Sequence, residues 1–168
     1  MEFTKPLKTL KLRTARLASV ESAKFGMVRR NSDGSPRAHQ GVDFAVDNGY
    51  RCYAIHSGKV VSVENSRSGY GKTVCIKLDD VHKYKDANGV EHEAELYAFY
   101  AHLSKTYATV GQVIPSSQVI GLSGSTGNAS GMTVIGSGAH LHFEIRLEPR
   151  PGLGLRGRID PLQFFDLD

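Results

Sequence analysis

His39 and Asp43 stand four residues apart with Gly41 between them, and far downstream His140 and His142 stand two apart. Imidazole nitrogen and carboxylate oxygen are both good zinc ligands, and a catalytic zinc takes three protein ligands, leaving a fourth position for water. Such a metal acidifies the water and polarises a carbonyl. A neighbouring imidazole, whose pKa lies near working pH, takes or gives the proton. Amide hydrolysis needs both functions. Two histidines and one aspartate as ligands would leave two histidines for proton transfer, and His102, closing the run Tyr97-Ala98-Phe99-Tyr100-Ala101-His102-Leu103, is placed to be one of the set. The plainer reading is a polar loop at residues 39–43 and a solvated strand face at residues 140–142.

These residues need a rigid frame, and the local patterns supply strands. Leu141, Phe143, Ile145 and Leu147 alternate with His140, His142, Glu144 and Arg146. A strand sends alternate side chains to opposite faces, so the apolar set faces a core and both histidines share the other face. In extended or turning backbone, positions 39 and 43 also share a face, and Gly41 permits a bend. The Gly/Ser/Thr/Asn-rich stretch 123–138 is a long loop that delivers the chain to His140, and loops of that length are often functional. Residues 7–17 read as a first strand, and 51–55 and 58–64 as strands about a turn. Residues 72–79 and 94–103 read as two long paired strands joined by a polar tip carrying Asn88-Gly89, a strong hairpin signal. His56, His82 and His92 read as surface histidines. Short strands continue at 110–114 and 118–122, and Phe164 and Phe165 pack back on the core. Helical periodicity is scarce, so the expected fold class is all-β.

A length of 168 residues fits one well-cored domain. The net charge of +4, from 21 basic and 17 acidic residues, suits an anionic partner such as a bacterial wall but constrains little. The basic N-terminal stretch has no interleaved aromatic for base stacking, which argues against nucleic acid as a partner. No apolar run is long enough to span a membrane. The first 24 residues lack the continuous apolar core of a secretory signal, so the expectations are a removed signal, another export route, or retention inside. Cys52 and Cys75 fit no close-spaced zinc pattern and leave a disulfide or two buried thiols open.

The chain resembles the lysostaphin-like zinc metallopeptidases, which cut peptide bonds in bacterial peptidoglycan. The resemblance runs from about Phe25 to Phe165. It rests on the HxxxD pair His39/Asp43 and the HxH pair His140/His142. Supporting segments are Phe25-Gly26, Gly58-Lys59-Val60-Val61, Tyr100-Ala101-His102-Leu103-Ser104, Val110-Gly111-Gln112-Val113-Ile114, Gly121 to Gly127 and Asp160-Pro161. It implies residues 25–168 as the metallopeptidase domain after an N-terminal strand or extension over 1–24. It implies antiparallel sheets of the duplicated hybrid motif type, with a groove walled by loops such as 123–138. It implies Zn2+ held by His39, Asp43 and His142, with His102 and His140 as the catalytic pair flanking the water, to stabilise the oxyanion or relay protons. A tyrosine often assists in relatives; Tyr50, Tyr53 and Tyr70 are the candidates here. The implied function is a peptidoglycan endopeptidase, expected as a monomer and acting in the periplasm, the cell wall or outside the cell. A toxin version would bring a cognate immunity protein. The alternatives are a non-catalytic wall-binding module on the same fold and, more distantly, a phosphotransfer or lipoyl-type carrier with Lys85 as the nearest hairpin lysine.

Overall fold

The computed structural model describes residues 3–14 and 20–168. Their strands, in chain order, are β1 (Gly26–Arg30), β2 (Pro36–His39), β3 (Val42–Ala45), β4 (Arg51–Tyr53), β5 (Gly58–Asn65), β6 (Lys72–Leu78), β7 (His82–Lys85), β8 (Glu91–Ala94), β9 (Tyr97–Leu103), β10 (Lys105–Thr106), β11 (Val113–Ile114), β12 (Val119–Leu122), β13 (His140–Arg146) and β14 (Arg158–Ile159). Only 3-10 turns accompany them among the described residues. The all-β expectation holds.

The main antiparallel sheet runs β11-β5-β6-β9-β13-β14, with β3 also pairing β13. A three-stranded sheet, β10-β12-β4, contributes Cys52 and Ile120 to the same core as Val74, Ile76, Ala98, Tyr100, Leu141, Phe143 and Ile145 of the main sheet. The alternation written into β13 is obeyed: Leu141, Phe143 and Ile145 are fully buried on the core face. The fully buried Tyr100 joins the layers. Its hydroxyl donates to the Tyr53 carbonyl (2.9 Å) and accepts from the Ile55 amide (3.2 Å). Truncating a buried aromatic side chain of this kind costs about 3–5 kcal/mol.

One expectation is refined, one is corrected and one left open is decided. The two long strands pair as expected, as β6 and β9, and the tip that joins them forms a separate hairpin of β7 and β8. The register Lys77↔Tyr97 ends the β6–β9 pairing, and Asp80 turns the chain away in the left-handed region at φ 71°. Asn88-Gly89 does form its turn, where Asp86 Oδ1 accepts from the Asn88 and Val90 amides. Residues 7–14 form no strand, only an isolated bridge from Leu12 to Phe44, while Leu7 and Leu10 plug the common core; residues 15–17 of that expectation lie outside the described residues. Finally, Cys52 and Cys75 are buried free thiols. Cys75 lies between the core residues Val74 and Ile76 and so points to the opposite face of the sheet, with Phe99 and Ala101. Side chains on opposite faces cannot reach a disulfide geometry.

Candidate metal centre

The site is built on the face of β13 away from the core. His142 is in register with Asp43 of β3 on one side and Ala101 of β9 on the other. Directly opposed residues in antiparallel strands share a face and lie within side-chain reach. This is why an aspartate and a histidine 99 positions apart meet: His142 Nδ1 lies 2.9 Å from Asp43 Oδ1. His39 arrives from the end of β2, with Nε2 3.1 Å from the same oxygen. Between them, Gly41 crosses the backbone of β13 so closely that a Cβ there would sit 2.3 Å from the Phe143 carbonyl oxygen and 2.8 Å from Glu144 Cγ. The glycine answers to space and not to a positive φ.

His102 reaches the site through a bulge. Tyr100 pairs with Val74 and Leu103 with Lys72, so Ala101 and His102 together oppose Thr73. Strict alternation would send His102 into the core with Tyr100. Instead it adopts φ 60°, unusual for a residue with a side chain, and turns to the site face. Its N–H donates to the Tyr70 carbonyl (2.8 Å) and its Nδ1–H to the Thr126 carbonyl (2.8 Å). The two loops that supply those carbonyls touch backbone to backbone at Gly71 and Gly127. Added Cβ atoms would lie 2.4 Å from Thr126 Oγ1 and 2.3 Å from the Gly69 oxygen, respectively.

All five expected residues therefore converge, and all are buried. One donor atom each of His39, Asp43 and His142 lies within 4.8 Å of the others. His140 Nε2 stands 3.8 Å from Asp43 Oδ1, and the His102 and His140 rings are 5.1 Å apart.

The residues fit a divalent cation because every candidate ligand is anchored from behind. His39 Nδ1–H donates to the Lys24 carbonyl (2.8 Å), which leaves the Nε2 lone pair facing inward. His142 Nε2–H donates to Glu144 Oε1 (2.9 Å). Asp43 Oδ2 accepts from Arg29 (2.7 Å) and Arg13 (3.3 Å), which leaves Oδ1 inward. Such outer partners set tautomer and orientation in metal sites. Burial alone would depress His142. The hydrogen bonds to Asp43 and Glu144 outweigh it and raise the group to about 9, so this point holds a positive charge, a proton or a cation in its place. Burial pushes His102 down to about 3, with the neighbouring His142 and His140 adding to the effect, and it pushes His140 to about 4 against the pull of Asp43. Both are neutral imidazoles at pH 7.

Sequence reasoning missed the residue that braces this arrangement. Glu144 is fully buried and accepts four charge-assisted or hydroxyl bonds: from His142, from the Tyr70 hydroxyl (2.7 Å), and from Nε–H of Arg146 and of Arg158 (2.7 Å each). Burial would raise its pKa, but His142 and the two guanidinium groups hold it well below the usual carboxylate range. Its place two residues after His142 on the same strand face was the available signal. No sequence signal ties Arg13 or Arg29 to Asp43. Of the tyrosine candidates, Tyr70 lines the cleft and accepts a hydrogen bond from Gln40 Nε2, while Tyr50 and Tyr53 line a different hollow. Burial and the adjacent Glu144 push the Tyr70 hydroxyl up to about 12, so it stays a donor. The cleft over the site has a volume of about 590 Å³, and the 123–138 loop supplies Asn128 and Met132 to its wall, as expected.

A fold of antiparallel sheets carrying a buried His-Asp-His cluster defines a class of metallopeptidase, and the sequence comparison agrees. Residues 37–152 match Peptidase family M23, and the chain belongs to that family. It is 32% identical over 130 residues to an uncharacterized metalloprotease of Haemophilus influenzae, covering 77% of this chain and 23% of the relative. It is 35% identical over 115 residues to the DD-carboxypeptidase/endopeptidase Mpg of Neisseria meningitidis, covering 68% and 21%. The chain thus spans less than a quarter of the length of these curated relatives. Among solved structures, the catalytic domain of lysostaphin from Staphylococcus simulans superposes with a TM-score of 0.61 at 29% identity, covering 84% of this chain and 87% of that one. A zinc containing peptidase from Vibrio cholerae shares the fold with a TM-score of 0.64 at 24% identity, covering 100% and 41%.

Proposed function

We propose that this chain is a zinc endopeptidase that hydrolyses peptide cross-links of bacterial peptidoglycan. The observation that carries the reading is the inward convergence of His39 Nε2, Asp43 Oδ1 and His142 Nδ1, each anchored from behind, at the base of an open cleft. Relatives named as a DD-carboxypeptidase/endopeptidase and as lysostaphin support a wall substrate. The non-catalytic alternative expects a missing ligand, and none is missing.

In this reading His39, Asp43 and His142 hold the metal. When bound, zinc supplies Lewis acidity, acidifying a water and polarising the scissile carbonyl. His102 and His140 are kept neutral by burial, each with Nδ1–H committed to a backbone carbonyl, so each presents Nε2 as a proton acceptor. They take the proton from the attacking water and return it to the leaving amine. Arg13 and Arg29 hold the Asp43 carboxylate in one orientation. Glu144 does the same for His142, and Tyr70 and Gln40 fix Glu144 in turn. The substrate places the action at the wall, in the periplasm or outside the cell. Among the described residues no helix is long and apolar enough to cross a membrane. A monomer suffices, since every residue of the site comes from one chain. An immunity partner belongs to the toxin version and would seat in the cleft.

The test is digestion of purified wall. Release of peptide fragments by the zinc-loaded protein should disappear with chelator and in His142→Ala. Hydrolysis retained in either case rejects the assignment.

A further inference from the structure

Three guanidinium groups line the cleft beside the metal centre: Arg13, Arg29 and Arg37. Arg13 and Arg29 are committed to Asp43 Oδ2. In the adjoining hollow beyond Tyr70, Arg146 and Arg158 are committed to Glu144, and Arg150 to Glu64 at 2.7 Å. Arg37 differs from all of these. It is exposed, and the described residues offer it no side-chain hydrogen bond or ion pair. Its position is costly as well. Arg37 pairs directly with Arg29 in the β1–β2 register, and like charges opposed across strands destabilise a hairpin. Asp43 already faces Arg13 and Arg29, and no carboxylate among the described residues pairs with Arg37.

The placement of this charge is specific. Arg37 and His39 are two apart on β2, so they share a face and stand about 7 Å apart along the strand. Both side chains line the same cleft, so an anion held by Arg37 would lie beside the bond being cut. Wall cross-links differ at this point. Where the linking amine sits on a carbon that also bears a carboxylate, as at a diamino acid joined through such a centre, a free anion lies three bonds from the scissile carbonyl carbon. A glycine bridge has no charge there. A planar guanidinium is the side chain best matched to a carboxylate.

We infer that Arg37 forms a carboxylate subsite that selects direct cross-links whose scissile nitrogen is borne on a carboxylate-bearing carbon, over glycine bridges. This rests on the endopeptidase reading above and names its substrate class.

The experiment compares kcat/KM of the zinc-loaded protein on three peptide dimers: one cross-linked through a diamino acid with that carboxylate free, the same dimer with the carboxylate amidated, and a glycine-bridged dimer. The free-carboxylate dimer should be cut about tenfold faster than its amide, the size of one charge-assisted hydrogen bond at a partly exposed site. The ratio should fall toward one in Arg37→Gln and recover in part in Arg37→Lys. Calorimetry on the metal-free protein gives a readout independent of turnover: the amine-bearing product, carboxylate free, should bind about tenfold more weakly to Arg37→Gln. An unchanged ratio in Arg37→Gln, indifference of the wild type to amidation, or faster cutting of the glycine-bridged dimer would each overturn the subsite and leave the endopeptidase standing. A wild type that cuts none of the three overturns the endopeptidase reading, and the subsite with it. Thermal melting of both variants confirms that the hairpin is folded.

Discussion

Replacing Glu144 with glutamine keeps the shape of the side chain and removes its charge. In the native protein one fully buried carboxylate faces His142, Tyr70, Arg146 and Arg158, three of them at 2.7 Å. Glutamine offers one acceptor oxygen where there were two, and it aims an NH2 group at donors. At least one buried guanidinium then loses its counter-ion. Breaking a buried pair on one side costs about 3–5 kcal/mol, so a loss of about 3 kcal/mol is expected, or roughly 6–12 °C in Tm for a chain of this size. The exposed Glu64–Arg150 pair is the internal control. Its side chains are 49% and 66% exposed, and Glu64→Gln should cost less than about 1 kcal/mol despite the same 2.7 Å contact. Glu144→Gln should also weaken zinc binding about 10- to 100-fold, because the charged acceptor that fixes and polarises the His142 Nε2–H becomes at best a neutral amide oxygen. Urea denaturation of the metal-free proteins and a competitive zinc titration measure the two effects. A Glu144→Gln protein within 1 kcal/mol of wild type, with zinc affinity within twofold, would refute the bracing role.

The metal-free protein should be most stable near pH 6.5. His102 and His140 have folded values of about 3 and 4 against an ordinary 6.5, so below 6.5 the unfolded chain binds protons first and stability falls on acidification. His142, raised to about 9, acts in the other direction: its contribution is complete below 6.5 and is lost as pH rises through 9. Each group changes stability by at most about 1.4 kcal/mol per pH unit, and zinc, by replacing the His142 proton, should remove the alkaline limb; Tm against pH with and without zinc checks both. Gly41→Ala should lose about 2 kcal/mol or more, since its Cβ meets rigid β13 backbone at 2.3 Å; urea melts measure it, and a loss under 0.5 kcal/mol, on the order of an ordinary surface change, speaks against the close crossing. Both thiols are pushed up to about 12 by burial and should resist a thiol reagent at pH 8 until the protein is unfolded, when two equivalents react.

How much of this was legible in the sequence varies element by element. The β13 alternation was legible because one strand face is buried in an apolar core, which makes a period of two unambiguous. The other face was not: all seven β13 residues are buried, because Glu144, Arg146 and Arg158 satisfy one another, and residue 158 lies beyond a loop whose path no local pattern gives. His39 and Asp43 were readable as a pair by spacing, but their bond to Arg13 and Arg29 comes from tertiary approach of the N-terminal segment and β1. The inward turn of His102 was the least readable feature. A non-glycine residue at φ 60° has no composition signal, and the bulge is imposed by the contacts of the 70–71 and 126–127 loops. The break between β6 and β7 is of the same kind, set by Asp80 rather than by a glycine or proline.

X-ray absorption at the zinc edge tests directly whether His39, Asp43 and His142 meet on one cation. Protein loaded with one equivalent of zinc should show nitrogen and oxygen neighbours only, at about 2.0–2.2 Å with the outer-shell signature of two imidazoles. His142→Ala should lose one imidazole and most of the affinity. Sulfur in the first shell, a single imidazole in the wild type, or an unchanged spectrum in His142→Ala would contradict the site.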